Sequence, residues 1–399
     1  MTDCCEELGE PQENGIEDEF PTRTEFERLG DLFRNTNPTF LMGAGCSYVA
    51  DIPMVHELDD TILEDMSVSE TAKIILVTIR DGFIDNSTTR SAHIEDYLSE
   101  LIDLKAIAER RRRKESKDQS ITIGAAKYLD SEIGEAIGEI ANSIANAVDI
   151  DLCSDKLQMH RRFVRAAHRT VRDGRAEHAR KLSYIVLNYD TLLESALALE
   201  RIRYSDGMYG GPVGWSDIDA FKSPGLRALV YKLHGSVDWM ELSEDEFVGP
   251  RRLSREFAAQ LGSGSKVMIW PAETKYRETR QDPFAQLAEI AWSSVRQREQ
   301  GSMPALLVTC GYSFGDAHVN SEIERCLEED SELTLVALVS SCCPQKISEL
   351  ARWCKDPDYG PRIIVYSRRG YFHGDEVVQV RTDMDWWRFE SLVEMLERV

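Results

Sequence analysis

Long apolar runs are absent from this sequence, and so is any N-terminal targeting pattern. No segment approaches the roughly 20 consecutive apolar residues that a membrane-crossing helix needs, so we expect no membrane contact. Residues 1–19 are acidic and polar, without the cationic start and apolar stretch of a secretory signal or a transit peptide. These absences lead us to expect a cytoplasmic protein.

Paired metal-ligating cysteines are also missing. The chain has 9 cysteines but no Cys-x-x-Cys, and its two adjacent pairs, Cys4-Cys5 and Cys342-Cys343, do not have the spacing of metal ligands. An odd number of cysteines in a chain without a secretory signal favours reduced thiols over a disulfide framework. We therefore expect neither a structural zinc site nor any other bound metal.

Positive charge is scarce, with 47 basic against 70 acidic residues and a net charge of -23. Such a surface repels phosphate backbones, so we expect no direct nucleic-acid binding by this chain alone. The one basic run, Arg110 to Lys114, is typical of a solvated helix end. The chain also lacks the Gly-x-Ser-x-Gly elbow of serine hydrolases and the phosphate loop of NTPases.

Short apolar runs separated by helical or loop stretches indicate an α/β fold. They predict a Rossmann-like parallel sheet with helices on both faces. The runs interpreted as strands are Thr39–Met42, Tyr184–Leu187, Leu229–Leu233, Val267–Trp270, Ala305–Thr309, Leu333–Val339 and Arg362–Tyr366.

Apolar spacing divides the rest of the chain. Residues 1–20 lack periodicity and are interpreted as a flexible acidic tail. A helix is predicted over 24–35, and recurrence at three and four residues predicts a large helical insertion over about 60–180. We assign 21–345 to one domain. Residues 346–399, which end in an amphipathic helix, either complete that domain or form an oligomer contact.

A glycine turn follows the first predicted strand, in the order Gly43-Ala44-Gly45-Cys46-Ser47. Small residues allow main-chain amides to approach an anionic group closely, and the N-terminus of a following helix would add partial positive charge. The turn therefore favours a bound pyrophosphate. Because no third glycine follows at the usual spacing, a plain strand-to-helix connection stays open as the alternative.

Polar residues follow three other predicted strands. Asn188-Tyr189-Asp190 comes after the second, and His234-Gly235-Ser236 comes after the third. Gly311 and Ser313 follow the strand at Ala305–Thr309. The carboxyl ends of parallel strands are where α/β sheets bind ligands, and a histidine there suits proton transfer at neutral pH. The alternatives are that Asp190 or Thr191 caps a helix and that His234 is a core residue.

The four segments together resemble sirtuins. Gly43 to Pro53 is similar to the sirtuin nucleotide loop at its Gly-Ala-Gly-x-Ser start and its Ile-Pro end, without a gap. Asp51 stands where sirtuins usually have glycine, and Met54-Val55-His56 replaces the Asp-Phe-Arg of the deacylases. Asn188-Tyr189-Asp190 resembles the sirtuin Gln-Asn-Ile-Asp segment, Lys232 to Ser236 resembles the segment with the catalytic histidine, and Gly311 to Ser313 resembles the Gly-Thr-Ser loop.

The resemblance implies a role for each motif and makes 21–345 a sirtuin-like NAD-binding catalytic domain. Gly43, Ala44, Gly45 and Ser47 would bind the dinucleotide, and Pro53 would close its nicotinamide side. Asn188 would contact the nicotinamide ribose or a water, Asp190 the carboxamide, and Gly311 with Ser313 the adenosine ribose. His234 would be the catalytic base.

Sirtuin deacylases also carry a four-cysteine zinc module, which this chain lacks, so it looks like the sirtuin-like NADases of bacterial anti-phage defence. This implies an NAD+ glycohydrolase that releases nicotinamide and ADP-ribose, or a cyclic form, and depletes NAD. It further implies a homo-oligomer and a separately encoded activator or sensor, such as a HerA-type ATPase. Two alternatives stay open: a non-catalytic subunit that senses NAD or ADP-ribose, and a nuclease subunit active only with its partner ATPase.

Overall fold

The structure is a computed structural model and describes residues 23–83, 92–116, 118–150, 153–170, 181–211, 213–242, 249–254, 257, 265–269, 282–296, 303–374, 376–380 and 382–398. The helices in these ranges are α1 Arg23–Asn35, α2 Leu58–Glu64, α3 Glu70–Gly82, α4 Ile94–Arg113, α5 Asp130–Val148, α6 Ser154–Thr170, α7 Leu192–Leu199, α8 Phe284–Arg296, α9 Ala317–Glu329, α10 Ser348–Lys355 and α11 Phe389–Arg398. The strands are β1 Asn37–Met42, β2 Ile121–Ile123, β3 Ala126–Tyr128, β4 Leu182–Val186, β5 Tyr204–Ser205, β6 Met208–Gly210, β7 Val213–Ser216, β8 Ala228–Lys232, β9 Gly235–Glu241, β10 Arg251–Leu253, β11 Ser265–Met268, β12 Ala305–Cys310, β13 Thr334–Val339, β14 Ile363–Ser367, β15 Gly370–His373 and β16 Glu376–Gln379.

A nine-stranded, mostly parallel sheet carries the fold, in the order β16-β15-β14-β13-β12-β1-β4-β8-β5. The expected α/β, Rossmann-like class is thereby confirmed. The chain divides into two compact units: residues 1–41, 162–182 and 294–399 form the first, and residues 42–161 and 183–293 form the second. The proposed domain boundaries at 20, 60, 180 and 345 stay a prediction, and the acidic tail lies outside the described residues.

In the first unit the sheet is apolar on nearly every residue. β12, β13 and β14 pair in parallel, and β15 and β16 continue antiparallel to the edge. All six residues of β12 are buried, as expected of a parallel strand covered on both faces. Phe163 joins this core through ring contacts with Phe40 and Phe389, both with centroids 5.1 Å apart.

The second unit contains the helical segment that follows β1. Helices α2 to α5 share one apolar core, in which Ile75, Leu101, Ile133 and Ile140 are completely buried. The apolar spacing of three and four thus predicts both the helices and the residues that they bury. The spacing missed the short antiparallel pair of β2 and β3 inside this segment, because strands of three residues are too short to show a period.

A separate five-stranded sheet in the second unit, β11-β9-β10-β7-β6, corrects one expectation. The run Val267–Trp270 was predicted as a strand of the parallel sheet. Its described part instead ends β11, which pairs antiparallel with β9; Trp270 lies outside the described residues. The prediction was wrong because Met268 and Ile269 are buried, and a short buried apolar run does not reveal the direction of its neighbours.

No helix in the described part of the chain has both the length and the hydropathy of a membrane-crossing segment.

Asp59, on α2, is a partly buried carboxyl of the second unit whose ionisation lowers the stability of the fold. Burial raises the pKa of this carboxyl to about 6 against the opposing charge of Arg80, and its Oδ1 atom has no hydrogen-bond partner within the described structure. A raised carboxyl pKa stabilises the fold below the ordinary value of 3.8 and withdraws that stability as the pH rises through about 6. We expect Asp59→Asn to raise the free energy of unfolding by about 1 kcal/mol at pH 8 and by much less at pH 4.

Urea unfolding of the variant and the parent at both pH values measures this difference. Glu64→Gln serves as the control, because Glu64 is an exposed carboxylate on the same helix. An equal gain for Asp59→Asn at pH 4 and pH 8 would contradict the assignment.

Candidate active site

The glycine turn begins directly after β1 and differs from the expected helix start. The chain forms two short 3-10 turns, Ala44–Cys46 and Tyr48–Ala50, and the first α-helix after β1 begins only at Leu58. The expectation of an α-helix N-terminus at this turn was therefore wrong. The amides of Ala44 and Gly45 still stand at the start of a helical turn, where main-chain N–H groups have no acceptor within that turn. The loop keeps the amide donors that would bind an anion.

Asn188 and Asp190 hold this loop to the turn that follows β4. The Ser47 hydroxyl donates to Asp190 Oδ2 at 2.6 Å, and Asn188 Nδ2 donates to Ser47 Oγ at 2.6 Å and to the Gly43 carbonyl at 3.0 Å. An ionised carboxylate only accepts hydrogen bonds, so Ser47 must donate its single hydrogen to Asp190 and accept from Asn188. The chain of bonds therefore has one direction and fixes the Asn188 amide. Asn188 is half-buried, and its Oδ1 makes no hydrogen bond within the described structure.

Asp190 also serves the helix that follows it. Its second oxygen, Oδ1, accepts the main-chain N–H of Leu192 at 3.0 Å, at the start of α7. The N-cap residue of α7 is Thr191, whose side chain makes no capping hydrogen bond, so Asp190 binds the first helical amide from the position before the cap. Its contact with a carboxamide stays a prediction.

The His234 turn is tied to the same place through main-chain bonds. The Leu233 amide donates to the Val186 carbonyl at 3.1 Å, and the Val237 amide donates to the Tyr189 carbonyl at 2.9 Å. Gly235 has φ +84, and a Cβ there would lie 2.2 Å from the Val267 carbonyl oxygen. Glycine is thus required for β11 to approach the turn. The His234 side chain is only 3% exposed, and its role as a base stays a prediction.

Lys232 and Glu194 form a buried ion pair next to these turns that sequence reasoning missed. Lys232 Nζ donates to the main-chain carbonyl of Asp190 and lies 3.3 Å from Glu194 Oε1. Burial raises the pKa of Glu194 to about 7, against the opposing effect of Lys232. The sequence signal was a charged residue inside each of two apolar runs, the strand β8 and the helix α7.

His160 on α6 is a second buried histidine of this unit that the sequence reasoning did not single out. Burial lowers the pKa of its imidazole to about 4, and the charge of Asp190 acts in the opposite direction. A histidine with such a pKa is neutral at physiological pH. His160 therefore adds no positive charge beside Asp190.

Gly311 and Ser313 lie in the first unit, after β12. Gly311 has φ +65, and the Ser313 side chain is exposed. The loop is held from below by Tyr312, whose hydroxyl donates to Asn320 Oδ1 at 2.8 Å, while Asn320 Nδ2 donates to the Phe314 carbonyl at 2.8 Å. This leaves the serine hydroxyl on the surface of the loop. Its contact with a ribose stays a prediction.

Residues 182–355 match the family model of the SIR2-like domain. The match spans a little under half of the chain and includes Asn188, His234 and the Gly311 loop, while the Gly43–Pro53 loop precedes it. The search of curated proteins found no match.

SIR2-like domains use NAD, and members of the family are often NAD-dependent enzymes. In the part of the chain that the structure describes, no group of three or more histidine, cysteine or acidic side chains could hold a metal ion. The polar groups at these turns include main-chain amides, which donate hydrogen bonds, and the Asn188 carboxamide oxygen, which accepts them.

The backbone conformation at position 51 explains why aspartate can replace the glycine that sirtuins usually have there. The Asp51 backbone is left-handed, with φ 60 and ψ 29, a conformation that glycine adopts freely and aspartate tolerates better than most residues. Its carboxylate lies 3.7 Å from Lys156 and is 84% exposed. A pair so exposed adds little stability. Position 51 therefore requires a residue that tolerates the left-handed conformation, and the charge of the aspartate contributes little to stability.

We expect Asp51→Gly to be at least as stable as the parent and about 1 kcal/mol more stable than Asp51→Ala, because alanine is strained at this φ. Chemical denaturation of both variants measures the difference. The same two substitutions at Asp60, an exposed position within α2, should give the opposite order. An alanine variant at Asp51 as stable as the glycine variant would argue against the left-handed requirement.

Proposed function

We propose that this protein is an NAD+ glycohydrolase that cleaves the bond between nicotinamide and ribose. The observation that carries the proposal is the fixed Asn188 amide, whose Nδ2 is bound to the glycine loop and whose Oδ1 is left to accept a hydrogen bond. The SIR2-like match supports NAD as the substrate. Gly43, Ala44, Gly45 and Ser47 would hold the pyrophosphate end, Pro53 would close the nicotinamide side, and Gly311 with Ser313 would bind the adenosine ribose.

The leaving group of the proposed reaction needs no general acid from the protein. The carbon-nitrogen bond breaks with its electron pair moving to the pyridinium nitrogen, so nicotinamide departs neutral and needs no proton. Water then bonds to the anomeric carbon and loses one proton, which gives ADP-ribose. Asn188 Oδ1 would orient the ribose or the water, and His234 would accept the proton directly or through a ribose hydroxyl. Attack by the adenine ring in place of water would give the cyclic product.

We further propose a cellular setting. An enzyme that consumes a central cytoplasmic cofactor must be restrained, so we infer a homo-oligomer and a separately encoded activator, for which a HerA-type ATPase is our candidate. Depletion of NAD would then be a response to phage infection. Size-exclusion chromatography with light scattering, with and without the product of the neighbouring gene, tests the assembly.

A sensor of NAD or ADP-ribose is the second candidate. The burial of His234, at 3% exposure, favours it, because a binding site without turnover does not need an accessible base. Under this hypothesis the protein binds NAD saturably and leaves it intact after long incubation.

We expect the purified protein, alone or with its activator, to release nicotinamide from NAD. Asn188→Ala and His234→Ala should each lower kcat by at least about 100-fold, since orientation and proton transfer are each worth about that much. Chromatographic quantification of nicotinamide measures the rate, and thermal unfolding confirms that the variants fold.

Two matched controls separate these effects from damage to the fold. Asn37→Ala removes an exposed asparagine from β1, and His373→Ala removes a histidine of β15 that bonds the Pro361 carbonyl; both should keep the parental kcat. Full turnover in Asn188→Ala and His234→Ala would refute the mechanism. Binding of NAD without any release by the parent would favour the sensor.

A further inference from the structure

A buried lysine stands between the two turns of the candidate active site. Lys232 is the last residue of β8, two residues before His234, and its side chain is about 1% exposed. Burying an ammonium group is costly unless it gains strong partners. A methionine would fill similar space in the apolar strand without that cost. The partners of Lys232 therefore indicate what the charge does.

Those partners are one main-chain oxygen and one carboxylate. Lys232 Nζ donates to the Asp190 carbonyl oxygen and lies 3.3 Å from Glu194 Oε1. Glu194 lies in the first turn of α7. Its other oxygen, Oε2, is buried without a hydrogen-bond partner in the described structure. Burying a carboxylate is unfavourable, and the contact of Oε1 with Lys232 offsets part of that cost. Glu194 also accepts a hydrogen bond from its own main chain, and its contact with Lys232 holds the lysine near the Asp190 carbonyl.

The bonds continue from Asp190 to the candidate catalytic amide. The main chain of Asp190 is held by Lys232, its side chain accepts from Ser47, and Ser47 accepts from Asn188. A shift of the Asp190 main chain would therefore change the acceptor that orients Ser47, and with it the direction of Asn188 Oδ1. A displacement of about 1 Å in an orienting group can cost about 100-fold in rate.

We propose that Lys232 and Glu194 are positioning residues of this site: Lys232 fixes the Asp190 main chain so that Ser47 and Asn188 keep their orientation, and Glu194 holds Lys232 in place. The proposal rests on the proposed function and deepens it. Neither residue touches the reacting atoms; both act through Asp190.

Breaking the pair affects folding as well as catalysis, so the test must separate the two. Lys232→Met leaves Glu194 buried without its partner and should lower the melting temperature. The double variant Lys232→Met/Glu194→Leu removes both charges, and replacing a buried ion pair by apolar residues often restores stability. It does not restore the hydrogen bond to the Asp190 carbonyl. Glu194→Gln keeps a hydrogen-bond acceptor for Lys232 and is the conservative variant.

Arg252→Met is the matched control for the loss of a buried ion pair. Arg252 lies in the same unit, contacts Asp206 and lies 3.1 Å from Asp238. Its loss should lower the melting temperature. The Asp190 carbonyl would keep its donor, so kcat per folded molecule should stay within about threefold of the parent.

We expect Lys232→Met and the double variant each to lose about 100-fold in kcat per folded molecule and to raise KM for NAD at least about tenfold, because a displaced Asn188 amide binds the ribose less well. The melting temperature should recover in the double variant while kcat does not, and Glu194→Gln should keep kcat within about threefold. The proposal is overturned if kcat recovers together with the melting temperature, or if Arg252→Met loses as much kcat as Lys232→Met.

Calorimetric titration with NAD distinguishes failure of this proposal from failure of the proposed function. A parent protein that releases no nicotinamide refutes the glycohydrolase alone. The positioning role is then decided by affinity: it holds if both variants at Lys232 bind NAD at least tenfold more weakly while Arg252→Met binds normally, and it is refuted if their affinities equal that of the parent.

Discussion

The carboxylate of Asp190 is the constraint on which the candidate site depends. Because it accepts and never donates, it forces the Ser47 hydroxyl toward itself, and Ser47 in turn forces the Asn188 amide to present nitrogen to the glycine loop. Two turns that are far apart in sequence are thereby linked by bonds with one possible direction. The Gly43 carbonyl oxygen, which also only accepts, fixes the Asn188 nitrogen from the other end of this chain of bonds.

Main-chain geometry supports that arrangement from the other side. The left-handed Gly235 lets β11 lie against the His234 turn, and the Ile269 amide closes the contact by donating to the His234 carbonyl at 2.9 Å. The antiparallel sheet of the second unit thus serves as a support for the turn. Its strand β9 also places Val237 and Trp239 in the apolar core, so the same sheet contributes to the core of the second unit and to the position of His234.

Sequence patterns predicted the elements whose apolar residues recur at a regular spacing and the polar turns that directly follow a strand. The apolar runs identified the strands that flank the site, and the spacing of Ile133, Ile137, Ile140 and Ile144 identified a buried helix face. The direction of β11 was not predictable, because burial makes parallel and antiparallel strands equally apolar. Nor was the Lys232–Glu194 pair, since a pairwise contact between a strand and a helix leaves only a single charged residue in each pattern.

The burial of His234 restricts how a proton could move in the proposed reaction. His234 is 3% exposed, so in the proposed reaction the proton would reach it through a ribose hydroxyl or an ordered water rather than from bulk solvent. Nicotinamide leaves neutral, and the site then needs one proton acceptor and no proton donor. A single amide and a single imidazole satisfy that requirement, which explains how so few polar groups could suffice for cleavage once the dinucleotide is held in place.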